Sequence, residues 1–419
     1  MGLVSKTAQL PVKLLRFFGV DLYGLILKLR IKFLLGIHKC NLRTDGLVIF
    51  TYLPLPGSIL QVARDFIDKL ALTSVPFTVI DMTINISKTT TLPQEEIKKY
   101  QQFISRKIDQ KVCLSFIERK HNPSSLQVIN PVWCEVSDGL EKINPDIANG
   151  HFNLVTFTTF CHEAFSKIIK PESINYYVRY PVRLNLNITS DKNTLRKDFS
   201  IPADAFVVFF NFSLGANFER KNPIGALKAF SEFVKKCHNH LPKPIFVLKL
   251  IETVKGQDNF SRIKAEVNAL KIETNVIYIS KLLSREEILN LTKCADVYLS
   301  LHRSEGLGLG IIESMSVNVP VIATNYGGCT DFINEENAFL VPYTLTPVDK
   351  SYSAYAAEWA EPDIQMAAKY LYEIYNNPNL GKIKSNSAKK FIDEYYSAKS
   401  FEGDIRSMLS QINAHSGIK

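Results

Sequence analysis

Between residues 296 and 331 the chain reads DVYLSLHRSEGLGLGIIESMSVNVPVIATNYGGCTD, and this stretch limits the possible folds more than any other. Val297, Leu299 and Leu301 alternate with smaller or polar residues, as a short strand requires. Residues 302–308 form a loop. Residues 309–317 have the spacing of a helix, with Asn318 and Pro320 as stop signals behind it. Val321, Ile322 and Ala323 make a second buried strand, and Gly327 and Gly328 a second turn. Strand, glycine loop, helix and strand in succession are one unit of a parallel α/β sheet. Loops at the carboxyl ends of such strands line the crevice where ligands bind.

The loop pairs two kinds of chemistry. Gly306, Gly308 and Gly310 leave the backbone bare, so a ligand can approach the amides of Gly306, Leu307, Gly308 and Leu309. The N–H groups at the start of the following helix favour an anion. Two carboxylates, Glu305 and Glu313, flank that anion site. A pure phosphate cradle would avoid them. A sugar nucleotide suits both features, with amides for its diphosphate and carboxylates for sugar and ribose hydroxyls. The plainer alternative is a tight turn before a helix that carries one solvated glutamate.

Upstream, residues 205–212 form an aromatic-rich strand. Ser213 closes it, and Arg220 and Lys221 follow before a helix over residues 224–237. Arg as a planar fork and Lys as a point charge suit a departing diphosphate. Two solvated charges at a helix start are the alternative, although cations are mildly disfavoured there unless an anion is present.

The net charge of +9 is concentrated at one end. Residues 1–40 hold Lys6, Lys13, Arg16, Lys28, Arg30, Lys32 and Lys39 against Asp21, a net +6, which leaves +3 for the remainder. Leu15, Phe18, Leu22, Leu25, Ile26, Leu29 and Phe33 recur at three- and four-residue steps as one apolar helical stripe, with most basic residues off it. That pattern suits a helix in a membrane interface over anionic lipid, or a helix packed on the protein's own sheet. Charges interrupt the segment too often for a secretory signal, and Lys6 stands where a myristoylation motif needs Ser or Thr. No run of eighteen uncharged apolar residues occurs, so no transmembrane helix is expected. The body shows no basic patch with interleaved aromatics, which argues against nucleic acid. The seven cysteines are scattered without metal spacing and read as reduced thiols of a cytoplasmic protein.

The run from Glu305 through Gly306, Gly308 and Gly310 to Glu313, followed by Val-Pro-Val-Ile-Ala-Thr, resembles the E-x7-E signature of retaining glycosyltransferases of family 4. The lead-in Ser300-Leu-His-Arg-Ser-Glu305 is typical of members that build bacterial surface polysaccharides. The resemblance spans roughly residues 45–410 and is densest over 195–345. It implies the GT-B fold, two Rossmann-like domains with a cleft between them, here with an N-terminal amphipathic helical segment. It further implies that Glu305 contacts the donor sugar, Glu313 the ribose, and Lys221 the phosphates. The family's arginine sits earlier, where this chain has Gly215 and Ala216, and Arg220 is the candidate substitute. In the first domain the loop after a strand over residues 46–51 has Gly57 and Ser58 where the family's glycines meet the donor phosphates. Around Asn130-Pro-Val-Trp133-Cys134-Glu135 the chain is similar to a Trp-Glu segment of related transferases. His121, Trp133 and Glu135 face the cleft in that reading; otherwise Trp133 is core and His121 a surface loop.

These features lead to a retaining, metal-independent transfer of a hexose from a nucleoside diphosphate sugar to a saccharide or lipid-linked saccharide. Catalytic roles fall to Glu305, Lys221 and Arg220. Donor binding falls to Glu313, Gly306, Leu307, Gly308, Leu309, Gly57, Ser58 and Ser213. No cofactor is expected beyond the UDP- or GDP-sugar donor. No D-x-D occurs, which disfavours a metal-dependent transferase, and no metal site is assigned. The expected division is a basic segment over 1–40, an acceptor domain over 41–190 completed by a helix over 395–419, and a nucleotide-sugar domain over 191–394. The expected location is the inner face of the membrane, peripherally. A catalytically inactive nucleotide-sugar-binding or scaffold protein of the same fold is the alternative, and a sugar-nucleotide epimerase of that fold stays open. A dinucleotide fingerprint fails because its last glycine would be Glu313, and no P-loop motif exists.

Overall fold

The computed structural model describes residues 42–52, 58–81, 97–105, 110–116, 126–132, 134–135, 137, 140, 144–182, 190–215, 218–237, 241–251, 256–348 and 358–415. The basic segment of residues 1–40 lies outside them, as do Gly57, His121 and Trp133.

Strands β1 (Arg43–Thr51), β2 (Phe77–Asp81), β3 (Gln110–Ser115), β4 (Gln127–Pro131), β5 (Asn153–Thr156) and β6 (Asn175–Tyr177) form one sheet in the order β2-β1-β3-β4-β5-β6. β1 pairs in parallel with β2 and β3, and β3 with β4. A parallel sheet is covered on both faces, and so β1 is buried continuously from Gly46 to Thr51. Val48, Phe50, Ile80, Cys113 and Leu126 pack into one core cluster. Helix α1 (Ser58–Leu70) follows β1 and buries Leu60, Ala63, Ile67 and Leu70 at three- and four-residue steps.

The second sheet holds β7 (Phe206–Ser213), β8 (Pro244–Ile251), β9 (Val276–Ile279), β10 (Val297–Ser300), β11 (Val321–Thr324) and β12 (Phe339–Val341), ordered β12-β11-β10-β7-β8-β9. All its pairings are parallel. Counted from β7, this is the dinucleotide-fold order 3-2-1-4-5-6, and the order reverses between β7 and β10. Ligands of such sheets bind beyond the strand ends at that reversal. Phe206, Phe209, Phe210 and Phe212 make β7 buried on both faces. Truncating one of the fully buried phenylalanines to Ala costs about 3–5 kcal/mol.

Helix α2 (Pro223–Cys237) starts behind Asn222, a residue in the left-handed region at φ 51°. Asn222 Oδ1 accepts from Gly225 N at 3.0 Å, while its Nδ2 donates to the Leu301 carbonyl at 2.9 Å. The start of α2 is thereby tied to the end of β10. Helix α3 (Arg285–Lys293) opens with a capping box of the S-x-x-E pattern: Glu287 N donates to Ser284 Oγ and Ser284 N to Glu287 Oε2. Helix α4 (Leu309–Ser316) runs between β10 and β11. Helix α5 (Ala398–His415) ends the described chain; its Glu402 accepts from Ser74 Oγ at 2.5 Å and its Arg406 donates to the same oxygen at 2.7 Å.

A two-stranded sheet pairs β13 (Tyr343–Pro347) antiparallel with β14 (Glu358–Pro362). β14 reads EWAEP, too short and too charged for a period to show, and its pairing is set by β13 and by Arg303. By packing, the described residues fall into two compact units. One holds those up to Pro131, with Phe152–Leu154 and Glu402 onward; the other holds Val132–His151 and Val155–Phe401.

Candidate active site

Every residue described in this section except Ser58 belongs to the second unit. The chain leaves β10 at Ser300 and reaches α4 at Leu309, so residues 301–308 lie at the carboxyl end of the sheet beside the reversal point. Two glycines here are required by the backbone. Gly308, at φ 83°, is the residue before α4 and supplies a left-handed turn that disfavours side chains. Gly306 has no room for a Cβ, which would collide with the Cys134 carbonyl. A second turn presses against this one. Gly327 sits at φ 88° against the Glu305 backbone, and Gly328 N donates to the Glu305 carbonyl at 2.6 Å. Thr158 Oγ1 donates to the Gly306 carbonyl at 2.9 Å. Gly310 packs under the Tyr298 hydroxyl, which donates to Asn211 Oδ1 at 2.8 Å. The glycines thus serve close packing of protein on protein as well as a bare loop.

Glu305, Lys221 and Arg220 meet. Lys221 Nζ forms a direct ion pair with Glu305 Oε1, and Arg220 Nη1 lies 3.3 Å from the same oxygen. Arg220 also donates through Nη1 to the Ser304 carbonyl at 2.9 Å and pairs through Nη2 with Glu135 Oε1 at 2.7 Å. Both Glu305 and Arg220 are buried. Arg220 is therefore no solvated charge at a helix start; it closes a short helical turn, Phe218–Lys221, ahead of α2. Burial alone would raise the Glu305 pKa, but the Lys221 and Arg220 charges outweigh it and hold the carboxyl at about 2. Glu305 is thus ionised and acceptor-only.

His302 is fully buried under this loop. Its Nε2 lies 2.9 Å from the Tyr326 carbonyl, which can only accept, so Nε2 carries the proton. Nδ1 then accepts from Ser300 Oγ at 3.0 Å. Burial lowers the His302 pKa despite the nearby Glu305 charge, and the ring is neutral.

Glu313 is buried on α4, eight residues beyond Glu305, with Arg285 Nε 4.0 Å from its carboxylate. Tyr298 is buried within the field of both carboxylates. Burial, then the charges of Glu305 and Glu313, push its phenol well above the ordinary range. Ser213 ends β7, in register with Ile251. Ser58 is the first residue of α1.

Glu135, read from the sequence as a residue that faces the cleft, pairs with Arg220. Arg285 and Arg303 carried no signal in the sequence, because their partners Glu313, Glu219 and Glu361 are set by tertiary packing rather than spacing.

Residues 191–391, just under half of the chain, match the family described as Glycosyl transferases group 1. Over 134 residues the chain is 28% identical to Protein CapJ of Staphylococcus aureus, a match that takes in 30% of this chain and 34% of that protein. The chain thus spans about a third of that curated relative. Among solved structures it is similar to HepE of Anabaena in complex with UDP and glucose, with a TM-score of 0.61 and 14% identity over 88% of this chain and 100% of that one. It is likewise similar to sucrose-phosphate synthase from Thermosynechococcus elongatus, with a TM-score of 0.61 and 14% identity over 88% and 99% of the two chains. TarM of S. aureus, also in complex with UDP, gives a TM-score of 0.54 at 14% identity over 74% of this chain and 57% of its own. These likenesses show the fold, the GT-B arrangement of two Rossmann-like domains.

Proposed function

We propose that this chain is a retaining glycosyltransferase that moves a hexose from a nucleoside diphosphate sugar to a saccharide or lipid-linked saccharide without a metal ion. The observation that carries this is the Lys221–Glu305–Arg220 ion group at the reversal point of the second sheet, beside the glycine start of α4. The family match over residues 191–391 and the UDP complexes of HepE and TarM support a sugar-nucleotide donor, with UDP ahead of GDP. The absence of D-x-D supports a mechanism in which protein cations neutralise the leaving diphosphate.

The residues divide the work as follows. Lys221 is a point charge on a flexible stem, and its side chain is 22% exposed. It turns from Glu305 to the diphosphate when donor enters. Arg220, fixed by Glu135 and the Ser304 carbonyl, keeps Glu305 ionised through that exchange. Ionised Glu305 then accepts from sugar hydroxyls and stabilises positive charge developing at the anomeric carbon. Glu313 accepts from the ribose hydroxyls. Amides of Gly306, Leu307, Gly308 and Leu309, with Ser213, complete the donor contacts in this unit. The acceptor oxygen bonds to the anomeric carbon on the face the diphosphate leaves. The carbon–oxygen bond breaks with its electron pair going to the diphosphate, whose oxygen takes the acceptor's proton.

One observation favours a second function. Arg220 is held by Glu135 and Glu305, so one of the two cations assigned to the diphosphate is already engaged. A chain that binds nucleotide sugars without transfer would tolerate that. Turnover of a panel of UDP- and GDP-sugars, run with EDTA, separates the two. Transfer or slow donor hydrolysis in EDTA supports the enzyme, calorimetric binding of UDP with no turnover supports the binder, and a strict Mn²⁺ or Mg²⁺ requirement contradicts the mechanism.

Among the described residues no helix is long and apolar enough to cross a membrane. We place the protein peripherally on the cytoplasmic face, on the strength of the apolar stripe and +6 charge of residues 1–40.

A further inference from the structure

We propose that Arg303 is a positioning residue for the donor site, and that it works through Glu361 of β14. This rests on the function proposed above. Arg303 lies two residues before Glu305, in a loop that has left the sheet and has no strand partner. Both of its backbone groups are nonetheless satisfied from outside the loop. Its N–H donates to the Arg220 carbonyl at 2.8 Å, and its carbonyl accepts from Ala360 N at 3.0 Å. The side chain joins the same two segments. Nε and Nη2 fork onto the Glu361 carboxylate at 2.5 and 3.2 Å. Nη1 donates to the Glu219 carbonyl at 2.7 Å and lies 3.6 Å from the Glu219 carboxylate. The guanidinium sits 5.5 Å from the ring centroid of Trp359, a buried residue of β14.

One residue thus cross-links three segments: the loop carrying Glu305, the turn carrying Arg220 and Lys221, and β14. The ion group is assembled from the first two, which Arg220 and Asn222 already join through the Ser304 and Leu301 carbonyls, and Arg303 adds a tie anchored outside both. Lys221 must also leave Glu305 when the donor diphosphate arrives, so that ion pair cannot itself fix the distance between the segments. Arg303 can, because it touches the backbone of both and its fork is anchored on a third element. A bidentate guanidinium–carboxylate contact sets orientation as well as distance, which an ammonium does not. The β13–β14 sheet, otherwise an appendage to the second unit, becomes the brace of the site.

Two variants isolate the effect. Arg303→Lys keeps the charge and loses the fork. Glu361→Gln removes the anchor, touches none of the donor-site residues, and lies at a site exposed enough to tolerate it. The first readout is the Glu305 carboxyl carbon, followed by NMR in the full chain labelled at glutamate carboxyls, from about pH 7 down to about pH 3.5. In the unchanged protein Glu305 stays ionised across that range. In both variants we expect it to begin titrating within it, because Lys221 and Arg220 drift away. The sign is diagnostic: if Glu361 acted only by its negative charge, removing it would hold Glu305 lower. The second readout is calorimetry with UDP, weakened by about tenfold in each variant, with the double variant no weaker than the worse single one, as coupled residues behave. A Glu305 signal unmoved in both variants, or UDP losses that multiply, overturns the proposal. Failure of the unchanged protein to bind UDP would remove the donor-site function, while the Glu305 titration would still decide the role of Arg303.

Discussion

The amine of Lys221 lies directly on the carboxylate of Glu305, although the two are 84 residues apart in the chain. They arrive from the ends of β7 and β10, the adjacent strands at which the sheet order reverses. In the proposed function this buried anion, held by two cations, hands one of them to an arriving diphosphate.

Glu305→Gln should lower kcat by about a hundredfold or more, the scale for losing one preorganised electrostatic contact, and leave UDP affinity nearly unchanged. It should also lower the thermal midpoint, because Lys221 and Arg220 are left without their common anion. Steady-state kinetics, calorimetry and a melting scan test all three. Wild-type turnover would remove Glu305 from the catalytic step.

The same carboxylate predicts an acid limb of stability. Its pKa is lowered from the ordinary 4.5 to about 2, so in the window between those values the unfolded chain binds a proton that the folded chain does not. Its contribution is complete above pH 4.5 and is lost as pH falls towards 2. The melting temperature of the wild type should therefore fall more steeply below pH 4.5 than that of Glu305→Gln. Parallel curves for the two proteins would show that the ion group adds nothing to stability.

The parts legible in the sequence were those written in consecutive residues. β10, the loop, α4 and β11 lie within 36 positions, and strand alternation, glycines and stop signals mark each boundary. The capping box of α3 was legible for the same reason. What stayed hidden was set by contacts distant in sequence. Arg220 was legible as a candidate cation for the diphosphate, but its partners Glu135, Ser304 and Glu305 were not, because they surround it only in the fold. Gly306 and Gly310 looked like openings for a ligand, whereas the Cys134 carbonyl and the Tyr298 hydroxyl already press on them. β14 gave no period because its five residues, Glu-Trp-Ala-Glu-Pro, are too few and too charged for one, and β13 and Arg303 set its pairing.

Glu313→Ala should weaken UDP binding by about 1.5–3 kcal/mol, the range for hydrogen bonds to a charged group. The loss should appear with UDP and shrink with inorganic pyrophosphate, which has no ribose. Calorimetry with both ligands tests it. Equal losses would mean that Glu313 acts through Arg285 or the α4 start rather than on the sugar of the nucleotide.

Residues 1–40 combine a net charge of +6 with an apolar stripe, a pairing of little use to an enzyme whose substrates are all dissolved. It makes sense if the acceptor is lipid-linked and held at an anionic surface. Each basic residue near such a surface contributes about 1 kcal/mol, and burial of the stripe adds to it. Full-length protein should sediment with vesicles containing anionic lipid at low salt and be released as salt screens the charge. Deleting residues 1–40 should abolish sedimentation and leave UDP binding intact, because the donor-site residues lie beyond Gly46. Transfer to a dissolved saccharide should survive the deletion, while transfer to an acceptor embedded in vesicles should fall sharply. Full-length protein that stays in the supernatant at low salt would remove the membrane role, and the deletion should then lower the melting temperature, as expected of a helix packed on the first sheet.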